Sequence, residues 1–248
     1  MKITYDNTYN GHPINNSELQ GCFIYILHRI FGASRYMLKK HNKIFTLRFD
    51  LRTSDDAETS RLDSKKIDHF IENITVDLTR NNPLHQKGKK KATSSNLSRH
   101  SVDPHVLITL EQHGTEKPHA HCLIIVNGNA KQSAWDILQR VERQYKNVLK
   151  DEYKLGLVDY CDKKGPNSYL ILRDDIVTFN AFFYQASYLA KVRGKGRLGK
   201  GEWIARGTRI SKKQRDETEK KGKAKAPSAP LNLPATLAVT GALVLDRG

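Results

Sequence analysis

The sequence has little cysteine and no cysteine pair of the kind that binds zinc. Cys22, Cys122 and Cys161 are isolated from one another, and no C-x-x-C motif occurs among the 248 residues. Zinc fingers are therefore not expected, because their thiolate ligands come in closely spaced pairs. An odd and sparse cysteine count also argues against a secreted fold held together by disulfides.

The sequence also lacks a recognisable export signal and a long apolar run. Residues 1–6, MKITYD, have no signal-peptide pattern. The longest apolar run near the end, residues 231–245, contains Asn232 and Pro234 and is shorter than the roughly 20 residues that cross a bilayer. We therefore expect a cytoplasmic protein with no membrane partner.

Positive charge is what the sequence has in excess. Lys and Arg number 42 against 26 Asp and Glu, which gives a formal net charge of +16. Such an excess favours polyanionic partners, because basic side chains that neutralise phosphates release condensed counterions. The charge is also uneven, since residues 191–225 hold 14 Lys or Arg and four Asp or Glu, a net of +10.

Two basic segments are candidate phosphate contacts. One is a loop predicted over residues 81–103, and the other is the beginning of the basic segment 191–225. We predict that residues 212–248 form a disordered basic tail that adds sequence-independent affinity for nucleic acid. The candidate DNA-binding residues are Lys89, Lys90, Lys91, Arg193, Lys195, Arg197 and Lys200.

Hydrophobic periodicity predicts an α+β fold. Residues 1–16 are polar and are predicted to be irregular, and one domain is predicted over residues 17–211. Ser17 can cap a first helix, in which Leu27 and Ile30 are among the apolar residues at helical spacing. In the strand predicted next, over residues 44–51, every second side chain is apolar and these side chains share one face.

The remaining elements define the expected topology. They are a helix beginning at Asp63 or Ser64 and ending at about Arg80, strands at 105–112 and 119–126, a helix at 131–149, strands at 157–161 and 169–172, and a helix at 176–192. Together with the strand at 44–51, their core order is β-α-β-β-α-β. That order is typical of a ferredoxin-like (RRM- or palm-like) antiparallel sheet with helices on one face.

Two histidines in the strand predicted at 119–126 form a candidate metal site. His119 and His121 are two residues apart, so their side chains point to the same face of the sheet. Glu111 ends the preceding strand and can supply an oxygen ligand across the hairpin, with His113 as a weaker rival for that position. Two imidazoles and one carboxylate leave coordination positions open, which suits a catalytic metal.

A second motif, Y-x-x-x-Y-x-x-K, contains two tyrosines and a lysine. Tyr184, Tyr188 and Lys191 would share one face of a continuous helix. A phenol is a weak nucleophile at neutral pH unless its charge is stabilised, and a nearby lysine is a suitable aid.

Together and in this order, the motifs resemble those of the H-U-H endonucleases, in which U is a hydrophobic residue. The sequence has a β-strand motif at Phe45-Thr46-Leu47, then His119-Ala120-His121, then the tyrosine motif that ends at Lys191. The likeness covers about residues 20–210. It is strongest to the rolling-circle replication initiators of filamentous phages and prophages, the inovirus replication-protein type related to the YagK/YfjJ domain.

The resemblance implies a role for each motif. His119, His121 and Glu111 would hold a divalent ion, Mg²⁺ or Mn²⁺. Tyr188 would attack single-stranded DNA at a replication origin to give a 5′-phosphotyrosine and a 3′-hydroxyl, Tyr184 could act as a second nucleophile, and Lys191 would stabilise charge. No G-x-x-x-x-G-K-[S/T] motif is present, so a host helicase and a polymerase are expected partners.

Three alternatives remain open at this point. A plasmid relaxase or a single-strand transposase would use the same chemistry. In relaxases the tyrosine usually lies near the N-terminus, whereas here both tyrosines follow the histidines. The third alternative is a non-catalytic nucleic-acid-binding regulator, in which the histidines and tyrosines stack on bases or support the fold.

Overall fold

The computed structural model describes residues 1–16, 20–53, 62–80, 100–112, 117–150, 156–161, 166–195 and 203–211. The helices are α1 (Ile24–Lys40), α2 (Ser64–Arg80), α3 (Ala134–Leu149) and α4 (Ile176–Ala186), and a 3-10 turn follows at Ser187–Ala190. The strands are β1 (Ile3–Thr4), β2 (Thr8–Tyr9), β3 (His12–Pro13), β4 (Cys22–Phe23), β5 (Lys43–Thr53), β6 (His105–Glu111), β7 (His119–Asn127), β8 (Gly156–Asp159), β9 (Ser168–Leu172) and β10 (Ala205–Gly207).

The main sheet is antiparallel and has the strand order β10-β6-β7-β5-β8. The segment β5-α2-β6-β7-α3-β8 is the predicted β-α-β-β-α-β core, and its α+β ferredoxin-like topology is confirmed. Strand β9 pairs with the first half of β5 and β8 with its second half, so β8 and β9 follow each other along one edge of β5.

One face of the sheet is apolar along its whole length. Strand β5 contributes every second residue to it, and α2 and α3 pack against it. Asp63 caps α2 by accepting a hydrogen bond from the Lys66 amide at 2.8 Å, and Ser133 accepts one from the Asp136 amide at the start of α3. The buried residues of β5 on this face are Phe45, Leu47, Phe49 and Leu51, as the alternation predicted.

The second face is also covered by helices, which corrects the prediction of helices on one face only. Ile44, Leu107, Leu123 and Ile125 form an apolar patch there, and α1 and α4 bury it. The physical reason is that β5, β6 and β7 carry apolar residues on both faces at one end of the sheet, so both faces must be removed from water.

The N-terminal prediction also needs correction. Residues 1–16 are only partly irregular, since they contain β1, β2 and β3, and Ile14 is buried. Helix α1 begins at Ile24, because the preceding residues form β4 and pair with β1. Gly21 permits this turn: its φ is +78°, and a Cβ there would lie 2.7 Å from Ile3 Cγ2. Ser17, the predicted cap, lies outside the described residues.

The C-terminal part contains two unexpected features. The helix predicted to run to residue 192 ends at Ala186, where the 3-10 turn begins. Strand β10 was not predicted and pairs with β6 along the edge of the sheet, where a Cβ on Gly207 would lie 2.1 Å from the Val106 carbonyl oxygen. The predicted tail, 212–248, lies outside the described residues. Within the described part of the chain, no helix is both long and apolar enough to cross a bilayer.

Candidate functional site

The pairing of β6 with β7 brings the three predicted metal ligands together. Glu111 lies directly opposite His119, and Thr109 lies opposite His121, so the carboxylate faces both imidazoles on the second face of the sheet. The histidine rings are 4.9 Å apart between centroids. His121 Nε2 is hydrogen-bonded to Glu111 Oε2 at 3.0 Å, and one donor atom from each of the three residues lies within 4.8 Å of the others.

These residues fit a divalent metal ion by chemistry and by spacing. Ligand bonds from nitrogen and oxygen to such ions are about 2.0–2.2 Å, so donors that share an ion lie within about 4.4 Å of each other. The three candidate donor atoms all lie within 4.8 Å of one another, so at most a small side-chain adjustment is needed. To bind the ion, Glu111 Oε2 would exchange its bonds to His121 and Lys195 for a bond to the metal.

The electrostatics of two ligands favour the forms that bind metal. Burial is the main cause that lowers the pKa of His119 to about 4; Arg52 lowers it further, against the opposing effect of Glu111, so the ring is neutral at pH 7. Burial alone would raise the pKa of Glu111, but the hydrogen bond with His121 and the ammonium of Lys195 hold it well below its usual range. Glu111 is therefore a carboxylate even though it is almost fully buried.

Asp50 on β5 completes the site from the other side of His121. Its Oδ1 is 2.8 Å from His121 Nδ1, and the two residues are paired across β5 and β7. Burial alone would raise the pKa of Asp50, but the bond to His121 and the nearby Arg48 lower it. A carboxylate on one ring nitrogen sets the tautomer and the orientation of the other nitrogen, as in many metal-bound histidines.

Lys195 was predicted to bind DNA, and its position corrects that prediction. Its side chain is buried, and its Nζ is 3.1 Å from Glu111 Oε2. The ammonium thus neutralises a buried carboxylate and is not exposed to a DNA backbone. The physical reason is that a buried charge requires a partner of opposite sign, which a sequence-based charge count does not consider.

Tyr188 lies next to the three-residue cluster. Its ring centroid is 5.0 Å from that of His121, the guanidinium carbon of Arg48 is 4.4 Å from the ring centroid, and Lys191 Nζ is 4.8 Å from it. Burial raises the pKa of Tyr188, the carboxylate of Glu111 raises it further, and Arg48 opposes the rise. The phenol is therefore protonated at neutral pH in this arrangement.

The second tyrosine and Lys191 line the same cleft as Tyr188, although the three residues do not lie on one continuous α-helix. Tyr184 is in the last turn of α4 and is 40% exposed, whereas Tyr188 follows in the 3-10 turn. The cleft has a volume of ≈ 440 Å³ and is open to solvent beside Asp50. Its remaining cationic lining comes from Arg48 and Arg52.

Arg193 is exposed and close enough to Tyr188 for its charge to lower the pKa of that phenol, and its role as a phosphate contact stays a prediction. The other predicted contacts, Lys89, Lys90, Lys91, Arg197 and Lys200, lie outside the described residues, as does His113, the rival third ligand.

The sequence reasoning missed Arg48 and Asp50, which contact Tyr188 and His121 respectively. A signal was present, because Arg48, Asp50 and Arg52 alternate with the apolar residues of β5 and so form a polar end of its second face. Their partners could not be deduced, because the register of β5 against β7 is a tertiary property.

Comparison with known proteins identifies one family for this chain. No curated protein and no solved structure gives a significant match to the chain. The model of one protein family, the YagK/YfjJ C-terminal domain, matches residues 4–201, which include every element from β2 to the 3-10 turn and all of the candidate site. The match covers most of the 248 residues, so the chain belongs to the YagK/YfjJ C-terminal domain family.

Proposed function

We propose that this chain is an H-U-H endonuclease that nicks and rejoins single-stranded DNA and so initiates rolling-circle replication of a phage, prophage or plasmid. The observation that carries the proposal is the position of Tyr188, whose ring centroid is 5.0 Å from that of His121 in the metal-ligand cluster. Tyr188 and two cations, Arg48 and Lys191, thus line one solvent-open cleft. Tyr188 also packs against His121 of the candidate ligand cluster.

The surroundings of the cleft suit a DNA phosphate. Two cations lie close to Tyr188: the guanidinium carbon of Arg48 is 4.4 Å from its ring centroid and Lys191 Nζ is 4.8 Å from it. Their charges attract the phosphodiester and compensate the negative charge that develops on the phenol oxygen as it attacks. Without such compensation, the raised pKa of Tyr188 would make its phenol a poor nucleophile.

The reaction is a transesterification. Tyr188 Oη forms a bond to phosphorus and loses its proton, while the bond from phosphorus to the 3′ oxygen breaks and that oxygen takes up a proton. Mg²⁺ or Mn²⁺ held by Glu111, His119 and His121 would supply Lewis-acid polarisation of the phosphate. One phosphodiester is exchanged for another, so the 3′-hydroxyl can reverse the step and rejoin the strand.

Tyr184 lines the same cleft and is more exposed, so it can serve as the second nucleophile when the new origin is cut after one round. A host helicase would unwind the duplex and a host polymerase would extend the 3′-hydroxyl.

The test is the covalent protein–DNA adduct on a denaturing gel, with labelled single-stranded origin DNA and Mn²⁺. Tyr188→Phe removes one oxygen and nearly preserves packing, so only a catalytic role predicts loss of the adduct. Tyr184→Phe should keep the first cleavage and impair the second strand transfer. Tyr5→Phe, at a tyrosine that is 61% exposed and outside the cleft, is the matched control and should react normally.

A normal adduct yield from the Tyr184→Phe, Tyr188→Phe double variant would falsify the mechanism. If the unaltered protein binds DNA but never forms an adduct with any divalent ion, a non-catalytic nucleic-acid-binding regulator becomes the better explanation.

A further inference from the structure

A long groove follows the β10 edge of the sheet, between α1 and α2. It consists of two adjoining cavities of ≈ 740 and ≈ 620 Å³, which share Arg29, Thr208 and Arg209. We propose that this edge groove is a second binding site for single-stranded DNA, separate from the cleft where Tyr188 lies. The proposal rests on the proposed function in that DNA is the polyanion bound.

The positive charge of the edge groove favours an anionic ligand. Arg29 and Arg209 are close enough for the charge of one to act on the other: burial lowers the pKa of Arg29, and Arg209 lowers it further. No carboxylate in the described part of the chain lies within ion-pair distance of either. Arg35 and Lys39 extend the positive lining towards the end of α1.

Among the described residues, the acidic side chains that line the edge groove belong to α2. Asp68 and Glu72 line the larger cavity, and Asp68 is partly neutralised because its Oδ2 is 3.5 Å from Arg206 Nη2. The smaller cavity has no acidic lining residue among those described. Phosphates would therefore follow the α1 side of the groove, where Arg29 and Arg209 lie.

An aromatic residue at the beginning of the edge groove suits the bases. Trp203 is 58% exposed, and its backbone amide is held by Ser64 Oγ at 3.2 Å. Arg206 stacks on its indole, with 4.7 Å from the guanidinium carbon to the ring centroid. An exposed indole beside a cationic track is the arrangement that binds unpaired bases by stacking, which duplex bases cannot use.

The β10 register places the Trp203 end next to the metal-ligand end of β6. Ala205 is opposite Thr109, and the Leu110 amide donates to the Ile204 carbonyl oxygen at 3.0 Å, one residue before Glu111. The groove then follows α1 from Tyr25 to Lys39, roughly 21 Å at the helical rise of 1.5 Å per residue. A strand that leaves the cleft can thus continue along the sheet edge for several nucleotides.

Trp203 fluorescence tests the occupant directly, because the chain has two tryptophans. In Trp135→Phe only Trp203 remains, and an unlabelled oligothymidine should quench its emission. In Trp203→Phe only Trp135 remains, on α3 and also exposed, and the same DNA should leave it unchanged. Quenching by a duplex but not by the single strand, or no quenching of Trp203, would overturn the proposal.

The charge test uses the anisotropy of labelled oligothymidine over a range of salt concentrations. Arg29→Gln with Arg209→Gln should weaken binding about ten-fold at low salt and flatten the log–log salt slope by about 1.4, since each lost phosphate contact contributes about 0.7. The matched control removes two exposed cations elsewhere, Arg80→Gln with Lys150→Gln. An equal change in the control, or an unchanged slope in the groove variant, would overturn the proposal.

Both binding measurements are made without metal and do not depend on cleavage. If no adduct forms but DNA quenches Trp203, the nuclease proposal fails and the edge groove remains a DNA-binding site. If the adduct forms normally but Trp203 is not quenched and the Arg29→Gln, Arg209→Gln variant binds DNA normally, the edge-groove proposal fails and the nuclease proposal remains.

Discussion

Along β5, alternate side chains enter two different environments. Phe49 and Leu51 are fully buried in an apolar layer under α2 and α3, whereas Arg48 and Asp50 lie beside Tyr188 and His121. The first environment is uniform from one end of the sheet to the other. The second is apolar under α1 and α4 and becomes polar at the end where Glu111 and His119 lie.

The two environments are expected to have different roles: the apolar face stabilises the fold, and the polar end of the second face carries the proposed reaction. The apolar face should tolerate the exchange of one hydrophobic residue for another of similar volume at a cost below about 1.5 kcal/mol. The polar end requires particular atoms at particular distances, and each of its buried charges has a partner, as in the pairs of Glu111 with Lys195 and Asp50 with His121. Substitutions on the two faces should therefore have separable effects on stability and on reaction.

After the loss of the adduct expected for Tyr188→Phe, the largest effect on reaction is expected for His119→Ala, which removes one candidate metal ligand. Adduct formation should fall by more than about 100-fold, because polarisation of the phosphate contributes several kcal/mol. DNA affinity should stay within about two-fold, since phosphate contacts elsewhere carry binding. Adduct gels and anisotropy measure the two quantities. His69→Ala, at an exposed histidine on α2, is the control, and an equal loss there would contradict the assignment.

The largest effect on stability is expected for Phe70→Ala on the apolar face. Phe70 is buried and makes edge-to-face contacts with Phe49 and Tyr145. Its truncation should cost about 3–5 kcal/mol of unfolding free energy in urea, through lost burial and a cavity. Adduct yield per folded molecule should be unchanged. Val177→Ala, at a residue that is 76% exposed, should cost less than about 0.5 kcal/mol.

A smaller effect, on metal affinity, is expected for Asp50→Asn, which tests whether Asp50 on β5 orients His121 on β7. The amide cannot supply the negative charge that orients His121, so affinity for Mn²⁺ should fall about 10-fold to 100-fold. Calorimetric titration with Mn²⁺ measures this without any cleavage step. The exposed Asp174→Asn is the control. Equal Mn²⁺ affinity in Asp50→Asn and the unaltered protein would show that Asp50 does not position the ligand.

The smallest effect is expected for Asp103, which ties the end of α1 to the segment before β6. Burial alone would raise its pKa, but bonds to His41 and Lys40 lower it from 3.8 to about 2. Because the folded pKa is lower than the unfolded one, the stabilisation is present above about pH 4 and is lost as the pH falls towards about 2.

Asp103→Asn should therefore cost about 2 kcal/mol or less at pH 7, and the difference from the unaltered protein should shrink as the pH falls below about 4. Urea unfolding at a series of pH values measures it. A difference that stays constant down to pH 3 would show that the ion pair with Lys40 and His41 is not its source.

The elements with strong local patterns could be predicted. Helices α2 and α3 and the hairpin of β6 and β7 lie within a few residues of their predicted bounds, since their periodicity and caps are local properties. Short or edge elements could not be predicted in the same way. Strand β10 has three residues and is stabilised by pairing with β6, and α4 ends at Ala186 although its helical pattern continues.

By itself, the sequence determined the cluster of candidate metal ligands, because period-two geometry puts His119 and His121 on one face and a short hairpin brings Glu111 opposite them. Only the tertiary structure decided what surrounds this cluster. The register of β5 against β7 placed Asp50 on His121, and the return of the chain after α4 brought Tyr188 and Lys195 to the same ligands. Such contacts join residues far apart in the chain, and they follow from how whole elements pack and not from any local pattern.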